Sequence, residues 1–108
     1  MWKFEIYIDK AGESRFRLKA GNGEIILASE WYSSKSGCNN GIASVKKNAN
    51  NENRFEKTVT ASGKFRFNMK AGNGQVIGVS QSYSSESWRD NGIDSVGRNA
   101  PDAEIVEA

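Results

Sequence analysis

The sequence predicts a single α+β domain made of two tandem β-β-β-α-β repeats. Shifted along itself by 51 positions without a gap, the chain is identical at 23 of 46 pairs between Phe4/Phe55 and Ala49/Ala100, whereas unrelated segments match at roughly one position in fifteen. Each copy contains stretches that alternate in period two, followed by apolar residues at helical spacing. Because a unit of about fifty residues is marginally stable alone, we expect the copies to share one sheet and one core.

Three strands open each copy. Apolar residues occupy alternate positions in 4–9 and again in 15–20, and the polar segment between them is a turn. A Gly-Asn-Gly segment then predicts a second tight turn, whose last glycine takes a left-handed conformation. Pairing across this three-residue loop places Leu18 opposite Ile26 and leaves Leu27 facing outward.

One helix per copy follows the strands. Tyr-Ser-Ser supplies hydroxyls that can cap its N-terminus, and Cys38, Ile42, Val45 and Ala49 recur at helical spacing. The Asn-Gly pair inside each helix is a poor helix former, since Gly costs about 1 kcal/mol relative to Ala. We therefore expect packing on the sheet to hold the helices, and Pro101 to end the second one.

The register of the repeat continues beyond the second helix. It aligns Val106 with Phe55 and Phe4, so the tail is the first strand of a third copy that stops there. The predicted organisation is one domain over 1–108, with repeat one at 3–50, repeat two at 54–101 and a terminal strand at 103–107.

Together these elements predict one mainly antiparallel, seven-stranded sheet with two helices on one face and a pseudo-two-fold axis. The terminal strands are expected to be shared or exchanged between the repeats. The predicted inner layer consists of Phe4, Ile6, Phe16, Leu18, Ile26, Ile42, Val45, Phe55, Phe67, Met69, Ile77, Ile93 and Val96.

The motifs in this arrangement resemble those of the YegP-like family of small bacterial and archaeal proteins, in its duplicated subfamily. They are Arg-Phe-Arg-Leu-Lys-Ala, the Gly-Asn-Gly turns, Tyr-Ser-Ser, Asn-Gly-Ile and Ser-Val-x-x-Asn-Ala, and they cover almost the whole chain. The resemblance implies a single sheet with exchanged C-terminal strands. Single-copy members are expected to dimerise where this chain folds on itself, which implies a monomeric pseudo-dimer. The resemblance brings no established activity, ligand or catalytic residue.

Candidate catalytic groups are scarce. The sequence contains no histidine and a single cysteine, Cys38, which leaves neither a Cys-His nucleophile pair nor a zinc cluster. Glu5 and Glu56 lie in strands that face arginines, so cross-strand ion pairs account for them better than acid-base catalysis. The Gly-Asn-Gly turns lack the Lys-Ser/Thr ending of a phosphate loop. We expect no enzyme activity, no metal and no cofactor.

The composition also bounds location and partners. No apolar stretch approaches the length of a membrane span, and the N-terminus lacks the apolar core of a signal peptide. A free thiol at Cys38 suits a reducing compartment. We therefore expect a cytoplasmic protein without a membrane partner.

Trp31 and Trp88 interrupt the repeat, and either close the core between the copies or form an exposed patch for a protein partner.

Two functional hypotheses follow. The first is a small non-catalytic accessory or protein-interaction module, whose partner the sequence does not identify. The alternative is weak binding of nucleic acid or another polyanion through basic residues on the sheet face opposite the helices, although nearby glutamates neutralise part of this charge. The candidate polyanion-binding residues are Arg15, Arg17, Lys19, Arg66 and Lys70.

Overall fold

The computed structural model describes residues 1–108 and shows the same order of elements in both repeats. Repeat one contains β1 (Lys3–Ile8), β2 (Ser14–Lys19), β3 (Ile25–Ala28) and helix α1 (Lys35–Asn48). Repeat two contains β4 (Phe55–Val59), β5 (Phe65–Lys70), β6 (Val76–Ser80) and helix α2 (Glu86–Asn99), and β7 (Glu104–Glu107) ends the chain. Short 3-10 helices at Glu52–Arg54 and Ala100–Asp102 follow the long helices. Neither long helix combines the length and apolar character that a membrane span requires.

All seven strands form one sheet, in the order β4-β5-β6-β3-β2-β1-β7. Every neighbouring pair is antiparallel except β1 and β7, which run parallel. The repeats meet where β3 pairs with β6, and β7 of repeat two lies beside β1 of repeat one. The predicted architecture is confirmed, and the exchange of the terminal strand is one-way.

The predicted turns are confirmed, but the predicted register after them is wrong. Gly23 adopts a φ of +86°, the left-handed conformation expected for the end of the Gly-Asn-Gly loop. The ladder between β2 and β3 then shifts between Leu18 and Lys19, and Leu18 lies opposite Leu27 instead of Ile26. A bulge of this kind inserts one extra residue into a strand. As a result Leu27 is fully buried, where the sequence predicted an outward position.

The helices begin where the sequence predicts and pack very closely on the sheet. Ser34 Oγ accepts a hydrogen bond from the Gly37 amide at 3.1 Å, as an N-cap does. A Cβ at Gly41 would overlap the Tyr32 hydroxyl and lie 2.8 Å from its Cζ. Gly92 has the same relation to Tyr83 in repeat two. The glycine in each Asn-Gly pair is thus required by the tyrosine that packs against it.

Most of the predicted core is confirmed. Eleven of its thirteen members are buried, whereas Phe55 and Ile93 are only half-buried. Cys38 is fully buried beside them as a core residue. Trp31 and Trp88 are 55% and 62% exposed, so they do not close the core between the repeats.

Candidate functional site

The sheet face opposite the helices carries the predicted basic residues. Arg15 and Arg17 alternate with the buried Phe16 in β2, and Arg66 occupies the corresponding position in β5. Helix α1 packs against Phe16 through Gly41, so the arginines that alternate with Phe16 point away from this helix. This face carries all five candidates, but β3 and β6 separate Arg15, Arg17 and Lys19 in β2 from Arg66 and Lys70 in β5.

Most of these cations have carboxylate partners. In the largest cluster, Glu5 Oε1 lies 2.5 Å from a terminal guanidinium nitrogen of Arg17 and 3.2 Å from Lys19 Nζ. Hydrogen bonds from Arg17 and then from Lys19 outweigh burial and hold the pKa of Glu5 below its usual value. The Arg17 guanidinium also lies 4.4 Å from the centre of the Tyr7 ring.

The remaining candidates show a similar pattern. Arg15 Nε lies 2.7 Å from Asp9 Oδ2, and Lys70 Nζ lies 3.0 Å from Glu56 Oε2. Arg66 differs, because its Nε is buried and has no hydrogen-bond partner. The side chains of the basic face are therefore only partly exposed, and much of their charge is already compensated.

A second feature, which the sequence did not predict, is a groove of about 560 Å³ beside β4. We call it the β4 groove; it lies between β4, α2 and the segment that joins the repeats. Its apolar lining consists of Ala49 and of Phe55 and Ile93, the two predicted core residues that remain half-buried. Residues of the β4 groove include Ala49, Phe55, Lys57, Asp90, Ile93 and Gly97.

In repeat one the corresponding space is occupied by β7 and by the buried Ala103 before it. It also holds Lys46, the equivalent of Gly97, whose Nζ lies 5.8 Å from the centre of the Phe4 ring. Phe4 and Ile42, the equivalents of Phe55 and Ile93, are both fully buried. β7 is fixed there by Lys46, whose ammonium donates a hydrogen bond to the Ala103 carbonyl oxygen at 2.8 Å. The β4 groove is therefore the vacant counterpart of the β7 position.

The backbone of β4 also has unpaired groups along this groove. The amide of Phe67 in β5 donates a hydrogen bond to the Ser80 hydroxyl oxygen at 2.9 Å, so the Phe67 backbone faces β6. Lys57 lies opposite Phe67, and its N–H and C=O consequently point away from β5. No strand follows on that side. At the equivalent position in repeat one, the Ile6 carbonyl accepts a hydrogen bond from the Ala108 amide at 2.8 Å.

The other chemistry of the molecule is sparse. No group of three or more histidine, cysteine, aspartate or glutamate side chains has the arrangement of a metal site. Burial raises the pKa of the Cys38 thiol, which disfavours the reactive thiolate.

Comparison with known proteins supports the resemblance seen in the sequence. Residues 9–56 and 61–107 each match the family described as "Domain of unknown function (DUF1508)". The "UPF0339 protein in ptx operon 5′ region" of Stutzerimonas stutzeri is 64% identical over 104 residues, which cover 96% of this chain and 94% of that protein. UPF0339 protein YegP of Escherichia coli is 50% identical over 96 residues, or 89% and 87% of the two chains. None of these descriptions names an activity.

Solved structures show the same fold. The solution NMR structure of a UPF0339 protein from Shewanella oneidensis has a TM-score of 0.92 at 47% identity, covering 98% of this chain and 90% of that one. That of YegP from E. coli also has a TM-score of 0.92, at 45% identity and with 98% and 91% covered. The two family matches, the close relatives and the shared fold agree, and the chain belongs to the UPF0339 (DUF1508) family, in the duplicated form that includes YegP.

Proposed function

We propose that the protein is a small non-catalytic module that binds another protein through the open edge of β4 and acts as a monomer. The observation that carries this proposal is the contrast between two equivalent edges. β7 covers β1, whereas β4 has unpaired backbone groups beside a partly apolar groove. Unpaired strand edges are a common site of protein association.

Several further features support a role in binding. The chain has no histidine, and its one thiol is buried, so the usual nucleophile and general-base pairs cannot be assembled. All four carboxylates with lowered pKa values are held in ion pairs, as in Glu56 with Lys70. The free thiol is consistent with the reducing cytoplasm as the place where the protein acts.

Site-specific photo-crosslinking in the native cell tests the proposal. A photoreactive amino acid replaces Val59, which lies in β4 and is 61% exposed. The matched control is Ile8, the equivalent residue of β1, which is 63% exposed. We expect position 59 to give discrete adducts, identified by mass spectrometry, that position 8 does not give.

A second substitution makes the result specific to the strand edge. Lys57→Pro removes an N–H that has no partner within the sheet, and edge strands tolerate proline at such positions. The adducts from position 59 should disappear in this background. Equal labelling from positions 59 and 8, or adducts that persist with Lys57→Pro, would contradict the proposal.

Binding of a polyanion to the basic face is the alternative, favoured by the five cations on one face of the sheet. It predicts that a mixed-sequence oligonucleotide shifts the amide signals of Arg15, Arg17 and Arg66, and that the shifts weaken as salt is added. The absence of localised shifts at low ionic strength would rule out this alternative.

A further inference from the structure

We infer that the β4 groove receives an extended segment of a partner protein, which adds to the sheet as an eighth strand parallel to β4. The segment carries an aliphatic side chain opposite Phe55 and an acidic side chain opposite Lys57. This inference rests on the proposed function and specifies the chemistry of the partner.

The internal repeat supplies the geometry of the occupant. β7 runs parallel to β1, and the pairs are Phe4 with Ile105, Glu5 with Val106 and Ile6 with Glu107. The equivalent positions in β4 are Phe55, Glu56 and Lys57. A strand that entered the β4 groove in the same way would therefore run parallel to β4. It would show the pattern aliphatic-aliphatic-acidic at these three positions.

The apolar part of the groove favours this occupant. Phe4 is fully buried where β7 is present, whereas Phe55 remains half-buried where no strand is present. Ile93 shows the same difference from the buried Ile42. An aliphatic side chain at the position equivalent to Ile105 would remove part of the exposed surface of Phe55 and of Ile93 from water.

The charge at the end of the groove differs between the repeats. Ile6 in β1 is replaced by Lys57 in β4, so an acidic residue at the position of Glu107 gains a cation directly opposite. Lys57 Nζ lies 3.2 Å from Asp90, and both side chains are about half exposed, at 53% and 49%. Ion pairs with this exposure contribute little, so Lys57 can turn to a new partner.

The chain's own terminal strand is already in use. β7 is paired with β1 and held there by the hydrogen bond that Lys46 Nζ donates to the Ala103 carbonyl oxygen. A second copy could fill the β4 groove only by releasing these contacts. A separate protein segment incurs no such loss.

A peptide titration followed by NMR tests the inference on the full chain. The probe is an acetylated peptide with the sequence of residues 100–108, Ala-Pro-Asp-Ala-Glu-Ile-Val-Glu-Ala. We expect amide shifts in residues 55–59 and at Ile93, with half-saturation at about 0.1–1 mM, as befits a short strand with few anchoring side chains. A nitroxide at the peptide N-terminus should broaden the signals of Phe55 more than those of Val59, because the strands run parallel.

Matched peptides and variants separate strand addition from nonspecific adhesion. Two peptides are N-methylated at alternate residues, one at the amides that face β4 and one at the amides that face solvent. The first should not bind and the second should bind as the original does, because only every second amide faces β4. Lys57→Pro should abolish the shifts. Lys57→Gln should weaken binding by about threefold, while the exposed control Lys10→Gln leaves it unchanged. A peptide with both glutamates replaced by lysine should bind more weakly than the original.

Three results would overturn the inference. The first is an absence of shifts in β4 at a peptide concentration of about 5 mM, well above the expected half-saturation. The second is a set of shifts in β1, which would show the peptide displacing β7. The third is concentration-dependent shifts of β4 without peptide, which would identify a second copy as the occupant. If peptide binding fails but Val59 still crosslinks to a protein, the inferred partner chemistry is wrong and the proposed function stands. If neither the peptide titration nor the crosslinking succeeds, both the inference and the proposed function are wrong.

Discussion

The side chain of Leu27 fills the space above Gly78, which is the residue equivalent to Leu27 in repeat two. A Cβ on Gly78 would lie 2.7 Å from Leu27 Cγ and 2.8 Å from Cδ2. β3 and β6 are neighbours at the centre of the sheet, so these equivalent positions meet where the repeats join. One large and one small residue fill a site that has room for only one side chain.

This relationship predicts strong coupling between the two positions. Leu27→Ala should destabilise the fold by about 2–5 kcal/mol through the cavity it leaves. Gly78→Ala should cost about 1–3 kcal/mol through overpacking. The double variant that carries both Leu27→Gly and Gly78→Leu should be destabilised less than the sum of the destabilisations measured for the two single variants. Urea denaturation measures all of these, and simple additivity would contradict the complementary packing.

The glycines inside the helices have a steric role that a matched pair can isolate. Gly41→Ala forces a methyl group into the Tyr32 ring and should destabilise the protein by about 1–3 kcal/mol. Gly37 lies in the same helix, but a Cβ there would be 3.5 Å from its nearest neighbours. Gly37→Ala should therefore stabilise the protein by up to about 1 kcal/mol through helix propensity. Thermal or urea unfolding that shows the same sign for both variants would contradict this account.

Glu5 should contribute to stability at neutral pH and lose that contribution in acid. Its hydrogen bonds to Arg17 and Lys19 hold its folded-state pKa below the usual value of 4.5. The contribution is thus complete above the unfolded-state pKa and disappears as the pH falls through the lower folded-state pKa. Glu5→Gln should be less stable than the wild type at pH 7 by an amount on the order of 1 kcal/mol.

The pH dependence of the difference provides the check. The gap in free energy of unfolding between wild type and Glu5→Gln should shrink as the pH falls below about 4.5. Glu30, which is exposed and makes no ion pair, provides the control substitution Glu30→Gln. A gap for Glu5→Gln that stays constant down to about pH 2.5 would mean that its ionised form contributes nothing specific.

The thiol of Cys38 should be inert in the folded protein. It is fully buried, and burial raises its pKa. We expect a disulfide reagent at about pH 8 to modify it at least about a hundredfold more slowly in the native state than in urea. Ser36→Cys in a Cys38→Ala background places an exposed thiol two residues away and should react quickly. Equal rates for the two native proteins would contradict a buried core role.

The parts of the fold that were predicted correctly depend on signals visible in the sequence. The glycine turns and the Ser34 cap follow from residues close together in the chain, and the terminal strand follows from the 51-residue repeat. The bulge after Leu18 interrupts the alternation within the hairpin of β2 and β3, and alternation alone did not predict it. The burial of Leu27 also depends on Gly78 in the other repeat, which is a contact between distant segments.

The functional surface was predicted only in part for similar reasons. Strand alternation correctly placed Arg15 and Arg17 on one face, but their pairing with Asp9 and Glu5 depends on side-chain geometry. The β4 groove was missed because Phe55 and Ile93 are typical core residues by pattern. The useful signal was that two repeats are followed by only one terminal strand.

The central claim is that the outer edge of β4 is the vacant counterpart of the edge that β7 covers. Native-state amide hydrogen exchange tests it directly at Lys57 and at its equivalent, Ile6, whose backbone faces β7. We predict that the Lys57 amide exchanges at least about a hundredfold faster than that of Ile6 in the isolated protein. Equal protection at the two positions would show that the β4 edge is already covered and would contradict the account.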